Sequence, residues 1–198
     1  MRETRLGALV QDYPNLEIIF SDDCSSDRTF EVVKELTQAY KGPHKLIFNR
    51  NHHNLGLMRH VNLCNQLATG DLIVVANDDD ISLPDRLSKI VRAHQAPERR
   101  AHSIHSSAMR IDAAGQALEV WTPPLAEKNM GLPEMAQSLS VLIGATHAWT
   151  REVFDRFGPI TQTQAYEDLL IAFRSALLGE IAYIDEPLVQ YRVGHAGL

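Results

Sequence analysis

Three consecutive aspartates, Asp78, Asp79 and Asp80, follow the apolar run Leu72-Ile73-Val74-Val75-Ala76, with only Asn77 between. A short β-branched run bounded by polar turn residues predicts a buried parallel strand. Ligands of open α/β sheets bind at the carboxyl ends of such strands. Two carboxylates ~5 Å apart in a partly dry crevice repel by about 3 kcal/mol at an effective dielectric of about 20, and a divalent cation converts that repulsion into binding. In a fully solvated acidic turn the repulsion falls below roughly 1 kcal/mol and calls for no ion. Two further acidic pairs recur in similar settings: Asp22-Asp23 follows the apolar Leu16–Phe20, and Glu167-Asp168 opens an apolar helical stretch. The first two clusters end successive predicted strands, so one crevice can hold both.

The elements that must position these residues alternate. Leu16–Phe20 reads as a strand, and Phe30, Val33, Leu36 and Tyr40 give the next segment a helical period that Gly42-Pro43 stops, with Ser25 or Ser26 as its cap. Lys45–Phe48 is a second strand. Leu57, Val61, Cys64 and Ala68 mark one face of a helix ending near Gly70, before the Leu72–Ala76 strand. Ser82-Leu83-Pro84-Asp85 then opens a helix with a capping-box pattern and a first-turn proline. Strands alternating with helices of this length predict βαβ units and a parallel sheet. The second half differs. His102–Ile111 and Gln116–Trp121 predict a hairpin around Asp112-Ala113-Ala114-Gly115, and Pro123, Pro124 and Pro133 punctuate a long loop over the site. Gly144–Trp149 reads as a strand, Thr150 as the cap of a helix to Phe157, and residues from Glu167 to Gly179 as a further helix. Ile181–Ile184 and Leu188–Val193 read as closing strands.

Bulk properties narrow the function classes. The 198 residues, 44% hydrophobic and 22% charged, suit one soluble globular domain. A net charge of -6 argues against a general nucleic-acid binder. An anionic substrate would therefore need a metal or a few placed arginines. The two cysteines, Cys24 and Cys64, have no metal-type spacing and read as free thiols. No apolar run approaches the roughly 18 residues of a membrane span and nothing at the start reads as a signal peptide. The expectation is a cytoplasmic protein, able to work at the inner face of a membrane. Of the nine histidines, His52 and His53 read as solvated and His102 and His105 face opposite sides of one strand. Trp121 and Trp149 read as packing residues.

The stretch Leu16-Glu17-Ile18-Ile19-Phe20-Ser21-Asp22-Asp23-Cys24-Ser25-Ser26-Asp27-Arg28-Thr29 resembles the second strand and nucleotide loop of family 2 glycosyltransferases. The likeness runs on in order through Asn54-Leu55-Gly56, Arg59, Asn62, Gly70-Asp71, Asn77-Asp78-Asp79-Asp80 and Leu83-Pro84-Asp85-Arg86-Leu87. It ends with Glu167-Asp168, Asp185-Glu186-Pro187-Leu188 and Tyr191-Arg192. The resemblance implies an α/β GT-A (nucleotide-diphospho-sugar transferase) fold, with a mostly parallel, Rossmann-like central sheet and a mixed C-terminal part. It implies a single domain over 1–198, with a nucleotide-binding half, 1–100, and an acceptor and catalytic half, 101–198.

The implied activity is inverting transfer of a sugar from a nucleotide-diphosphate sugar, a UDP- or dTDP-sugar, to an acceptor hydroxyl in glycan or cell-surface polysaccharide synthesis. The acceptor would be a saccharide or lipid-linked, nucleic acid would not be a partner, and homo-oligomers are compatible. By the resemblance Asp23 meets the donor's base, Asp22 braces the loop and Arg59 meets the diphosphate. Asp79 would be the direct ligand to Mg²⁺ or Mn²⁺ and Asp78 would reach the ribose or the metal's water shell. Asp80 would serve as a second ligand or a loop anchor. Asp168 would be the general base, with Glu167 beside it. His195 stands near the family's diphosphate histidine, one residue out of step. Asn77 stands where the family commonly has aspartate, which removes one charge from the metal motif.

The family's first strand and its base-binding loop have no counterpart, because Met1-Arg2-Glu3-Thr4 already aligns inside the helix that follows them. The expectation is a domain truncated at both ends. Its alternative is a catalytically silent nucleotide-sugar-binding or scaffold fragment. A nucleotidyltransferase would want a Gly-rich basic phosphate loop, which the sequence lacks.

Overall fold

The computed structural model describes residues 7–97, 101–128, 130–162 and 166–194. The beginning of the expected first helix, Met1–Thr4, and His195 lie outside the described residues; residues 7–9 are helical. The strands are β1 (Glu17–Asp22), β2 (Lys45–Arg50), β3 (Leu72–Val74), β4 (Ile81–Ser82), β5 (Ala101–Ile111), β6 (Ala117–Trp121), β7 (Ala148–Thr150) and β8 (Glu180–Arg192). The helices are α1 (Thr29–Thr37), α2 (Leu57–Leu67), α3 (Arg86–His94), α4 (Pro124–Lys128), α5 (Leu132–Gln137), α6 (Glu152–Phe157) and α7 (Glu167–Leu178), with a 3-10 turn at Gly144–Thr146.

β1 and β2 pair in parallel, as the first crossover requires. The other strands form a mixed sheet ordered β3-β7-β5-β8-β4, with β6 paired to the far end of β5. Within it only β5 and β8 run parallel; β3 lies antiparallel to β7. The apolar run before the aspartates is thus a three-residue strand whose described partner comes from the second half of the chain, a long-range pairing that local pattern does not carry. The strands before Asp22-Asp23 and before the triplet do not pair with each other. Among the described strands they belong to different sheets, tied where Thr69 donates its N–H to Glu17 Oε1 at 2.7 Å.

One face of the mixed sheet is covered by α3, whose Leu87 and Ile90 pack on Ile104, Ala148, Ala182 and Leu188. The other carries α7 and α6, with Ile171 and Val153 against Trp149. Trp149 is a core residue, its Nε1 donating to Asn65 Oδ1 at 2.9 Å. These two apolar layers hold β5 and β8 in place, and the site grows from their ends.

Several local expectations are corrected. The proline-rich stretch after Trp121 contains helices α4 and α5, because a proline in the first helical turn costs no hydrogen bond. The two closing strands are one, β8, with a register shift at Pro187 where the pairing with β5 slips. Gly144–Trp149 divides into the 3-10 turn and β7. The caps also differ. Thr29 N–H is accepted by Asp27 Oδ1 rather than by Ser25 or Ser26. Arg86 N–H at the start of α3 is met locally by Leu83 O, but the next two N–H groups are met from far upstream: Leu87 by Gln11 Oε1 and Ser88 by Asp12. The hairpin tip is as expected, with Asp112 Oδ1 accepting from Ala114 and Gln116 N–H and Gly115 at φ 85°.

Candidate active site

The acidic loop spans the gap between β3 and β4. Its three aspartates are not equivalent. Asp80 is buried, accepting from Arg192 N–H at 3.0 Å and from Asn77 Nδ2 at 3.1 Å. Burial pushes its carboxyl up, and Asp79 adds to this against the hydrogen bond from Arg192. Asp80 therefore anchors the loop to the end of β8. Asn77 acts as the donor of that anchor, which an aspartate at the same position could not do. Asp78 is exposed and Asp79 half-buried. Arg192 tightens the arrangement: its Nε donates to Asp79 O at 3.2 Å, and its Nη1 to Asp112 O and Ala113 O at 2.9 and 3.1 Å. One side chain thus fixes the acidic loop to the tip of the β5–β6 hairpin.

Asp168 stands in the first turn of α7, its Oδ1 accepting Leu169 N–H at 2.7 Å. Burial raises its carboxyl and that of Glu167 above the ordinary range, Glu167 being raised further by its neighbour. The opposite oxygen, Oδ2, faces Gly144: a Cβ built there would lie 2.9 Å from it. Glycine is needed at 144 for room, since this backbone is not in the left-handed region. The turn bearing Gly144 is held from below by Arg86, which is 1% exposed. Its Nη2 donates to Ala145 O at 3.0 Å and its Nη1 to Ser82 Oγ at 2.8 Å. Burial lowers its pKa to about 10, partly countered by Asp80, so it stays charged at neutral pH.

Tyr191 packs against the cluster of Ile143, Ala145 and Val189, and the next residue, Arg192, holds Asp80. The Tyr191 phenol is raised first by burial, then by the fields of Asp80 and Asp79, with Asp168 adding to them. The acidic loop and the turn facing Asp168, far apart in sequence, are thus tied through adjacent residues of β8.

The Asp22-Asp23 cluster is a hydrogen-bonded loop. Asp22 is buried and its Oδ2 accepts Ser25 N–H at 3.1 Å, with Arg50 Nε 3.4 Å away. Asp23 reaches across to the loop before α2: Oδ1 accepts from Asn51 Nδ2 at 2.7 Å and Leu55 N–H at 2.8 Å, and Oδ2 from Gly56 N–H at 2.9 Å. Burial alone would raise its pKa, but these bonds and the nearby His60 hold it below the ordinary value. A carboxylate has about four acceptor positions, so one remains for a ligand donor. His60 is raised chiefly by its hydrogen bond to Cys64, and its Nδ1 lies 3.0 Å from Asn51 Nδ2. Arg59 is exposed on α2. Sequence reasoning did not single out Asn51, His60 or Gly144. The i,i+4 spacing of His60 and Cys64 was the available signal for one of them; Gly144 carried none.

Among the described residues no group of three or more His, Cys, Asp or Glu could hold a metal ion. A Mg²⁺-type ion does not require such a group, being commonly held by one or two carboxylates together with substrate phosphates and water. Asp79 and exposed Asp78 offer that donor set.

Over residues 1–157 the chain matches the model of Glycosyl transferase family 2. It belongs to that family. It is 41% identical to the putative glycosyltransferase EpsE of Bacillus subtilis over 91 residues, covering 46% of this chain and 32% of that protein. An uncharacterized glycosyltransferase of Nostoc, alr2836, is 25% identical over 94% of this chain and 58% of its own length. Among solved structures, S. aureus TarS 1-349 in complex with UDP-GlcNAc superposes with a TM-score of 0.74 at 17% identity, over 97% of this chain and 54% of that one. The mannosyltransferase PcManGT of Pyrobaculum calidifontis, in complex with GDP-Man and Mn²⁺, gives 0.74 at 19% identity over 98% and 54%. The fold is the GT-A fold of these glycosyltransferases. The chain spans about a third to somewhat over half of the length of the proteins it matches.

Proposed function

We propose that this chain transfers a sugar, with inversion, from a nucleotide-diphosphate sugar to an acceptor hydroxyl in glycan or cell-surface polysaccharide synthesis. The donor is a UDP- or dTDP-sugar and the acceptor a saccharide or lipid-linked molecule. The observation that carries this reading is that the end of β8 ties two of the acidic clusters together: Arg192 binds Asp80 and the Asp79 carbonyl, while Tyr191 packs with Ile143 and Ala145 on either side of the glycine that lies against Asp168. A carboxylate for the metal and diphosphate and a buried carboxylate at a helix N-terminus are the two charges the reaction needs. Relatives whose solved structures hold UDP-GlcNAc, or GDP-Man with Mn²⁺, support the donor class.

In this assignment residues 1–100 bind the nucleotide. Asp23 uses its remaining acceptor position for the base, Asp22 braces the loop, and Arg59 reaches the diphosphate from the exposed face of α2. Asp79 would hold the metal, and Asp78 would reach the ribose or the metal's water. Mg²⁺ or Mn²⁺, when bound, supplies charge neutralisation on the departing diphosphate. Asp168 Oδ2, the oxygen not held by Leu169 N–H, takes the acceptor's proton. The acceptor oxygen then bonds to the anomeric carbon as the bond to the diphosphate oxygen breaks, and the nucleoside diphosphate leaves. Glu167 keeps the local field negative. In this reading the enzyme works in the cytoplasm, at the inner face of the membrane where its acceptor is lipid-linked; no helix among the described residues is long and apolar enough to cross a membrane.

The test is a panel of nucleotide-sugars assayed for Mn²⁺-dependent binding and turnover, beside Asp79→Ala and Asp168→Asn. Binding lost in the first and turnover alone lost in the second is the expected pattern. Nucleotide binding without turnover on any acceptor would favour the silent-fragment reading, and no binding at all would sink both.

A further inference from the structure

The loop around Asp23 contains a titratable group that the proposed reaction leaves unused. His60 lies in the first turn of α2, its side chain 17% exposed, and a chain of amides leads to it from β1. Asn49 Nδ2 donates to Ser21 Oγ at 3.0 Å and to Asn51 Oδ1 at 2.9 Å. Asn51 Nδ2 in turn donates to Asp23 Oδ1 at 2.7 Å and lies 3.0 Å from His60 Nδ1. The Asn51 amide is held this way round, because turned over it would set its oxygen against the carboxylate and lose the donor from Asn49. One Nδ2 hydrogen serves Asp23 and the other serves the ring. His60 Nδ1 is therefore an acceptor, and the proton of the neutral ring sits on Nε2.

The titratable groups facing the ring are Cys64, one turn further along α2, and Asp23 from the end of β1; Asn51 and, behind it, Asn49 are uncharged. The hydrogen bond to Cys64 leads in raising the ring's pKa above its ordinary value, against burial, and the charge of Asp23 adds to it. Protonation thus falls near neutral pH. It places a second donor, Nδ1–H, against the Asn51 N–H already there. Asp23 Oδ1 stands 3.6 Å from Nδ1, but Asn51 Nδ2 and Leu55 N–H already fill it. Two responses relieve the clash. Asn51 can turn its oxygen to the ring, which sets that oxygen against the carboxylate. The carboxylate can swing to the ring instead, which draws Oδ2 off Gly56 N–H. Both displace the one acceptor position of Asp23 that the loop leaves open.

We propose that His60 is a positioning residue of the donor site: the uncharged ring, by accepting from Asn51, aims the open acceptor position of Asp23 at the nucleotide base, and protonation of the ring weakens donor binding. The proposal deepens the donor assignment above and rests on it. A displaced hydrogen bond to a charged group predicts roughly a tenfold change in donor affinity. By reciprocity, a bound donor must make the ring harder to protonate.

The probes are UDP-glucose and dTDP-glucose with Mg²⁺, titrated by calorimetry into the full chain from about pH 5.5 to 8.5, which brackets the ordinary histidine value. The diphosphate diester keeps its charge over this range, and Asp23, held below the ordinary carboxylate value, stays ionised. The parent should bind roughly tenfold more weakly at the acid end than at the alkaline end. His60→Leu should bind weakly throughout, because the second Asn51 hydrogen loses its acceptor. In His60→Asn an amide oxygen stands close to the place of Nδ1 and does not titrate. That variant should recover most of the affinity lost in His60→Leu, with a flat profile; titrations elsewhere in the site would appear in it unchanged. Melting curves on both variants report folding, and the asparagine variant keeps the test open if the leucine variant unfolds. NMR of the ring nitrogens should show the Nε2–H tautomer at the alkaline end and a lowered ring pKa once donor is bound. A flat parent profile, or a pH step that His60→Asn shares, overturns the proposal while leaving the donor assignment standing. Failure of both nucleotide-sugars to bind the parent at any pH overturns the donor assignment and this proposal with it.

Discussion

Gly144→Ala puts the proposed base under direct mechanical test. The added methyl would lie 2.9 Å from Asp168 Oδ2, 3.3 Å from its Cβ and 3.4 Å from its Cγ. To reach an ordinary contact of 3.4 Å the oxygen must retreat by about half an ångström. The turn is held from below by Arg86, so most of the movement falls on Asp168. A side chain pushed off its rotamer costs about 0.5–1.5 kcal/mol. Against this, alanine gains about 0.4–1 kcal/mol by restricting the unfolded chain, since the native backbone at 144 accepts it. Stability should thus change by less than about 1 kcal/mol. Catalysis should not be so forgiving. A misplacement of about 1 Å can cost on the order of a hundredfold, so half that distance predicts roughly a tenfold loss in kcat, about 1.4 kcal/mol. The assay is steady-state transfer with saturating donor and Mn²⁺, alongside a melting curve and a nucleotide titration. A kcat within twofold of the parent, with the alanine in place, would refute the role of Asp168 Oδ2 as the proton acceptor.

The acidic loop should divide by role: Asp79→Asn abolishes Mn²⁺-dependent nucleotide binding with little change in melting temperature. Asp80→Ala does the reverse in part, leaving Arg192 N–H and the Asn77 amide unsatisfied at a cost of about 1–3 kcal/mol, readable by urea denaturation. Because burial raises Asp168 and Glu167, the acid limb of the kcat profile should lie above the usual carboxylate range of about 4, and Asp168→Asn should flatten it. The same sign applies to stability. A carboxyl raised in the folded state opposes folding once ionised, so Asp168→Asn should melt no lower than the parent at pH 7 while losing turnover. Asp23 has the opposite sign, its folded pKa being depressed. Its contribution is present above about pH 4 and is lost as the pH falls through the folded value, so Asp23→Ala should shrink the difference in urea midpoint between pH 7 and pH 3.

Much of the architecture can be read from local pattern. The βαβ start, the β5–β6 hairpin around Asp112 and Gly115, and α7 from Glu167 all carry periodicity or turn chemistry within a dozen residues. The misread segments share a cause. Two of the caps of α3 come from Gln11 and Asp12, more than seventy residues upstream, and local sequence offered Ser82 and Asp85 instead. The prolines after Trp121 signal a loop as readily as a first helical turn.

The sequence by itself determined which groups are available for chemistry: three acidic clusters, each at the end of a strand or the start of a helix, in the order of family 2 glycosyltransferases. It also marked Asn77 as unusual. Only the tertiary structure decided how the three aspartates divide their work. Asp80 turns inward because the backbone N–H of Arg192 needs an acceptor there and Asn77 supplies a second donor, while Asp79, the residue proposed for the metal, stays half-buried. The position of Asp168 is likewise a tertiary matter, set by α7 packing on the sheet and by a glycine that leaves room for one oxygen. Side-chain type is written residue by residue, but the direction a carboxylate faces depends on donors that distant strands bring to it.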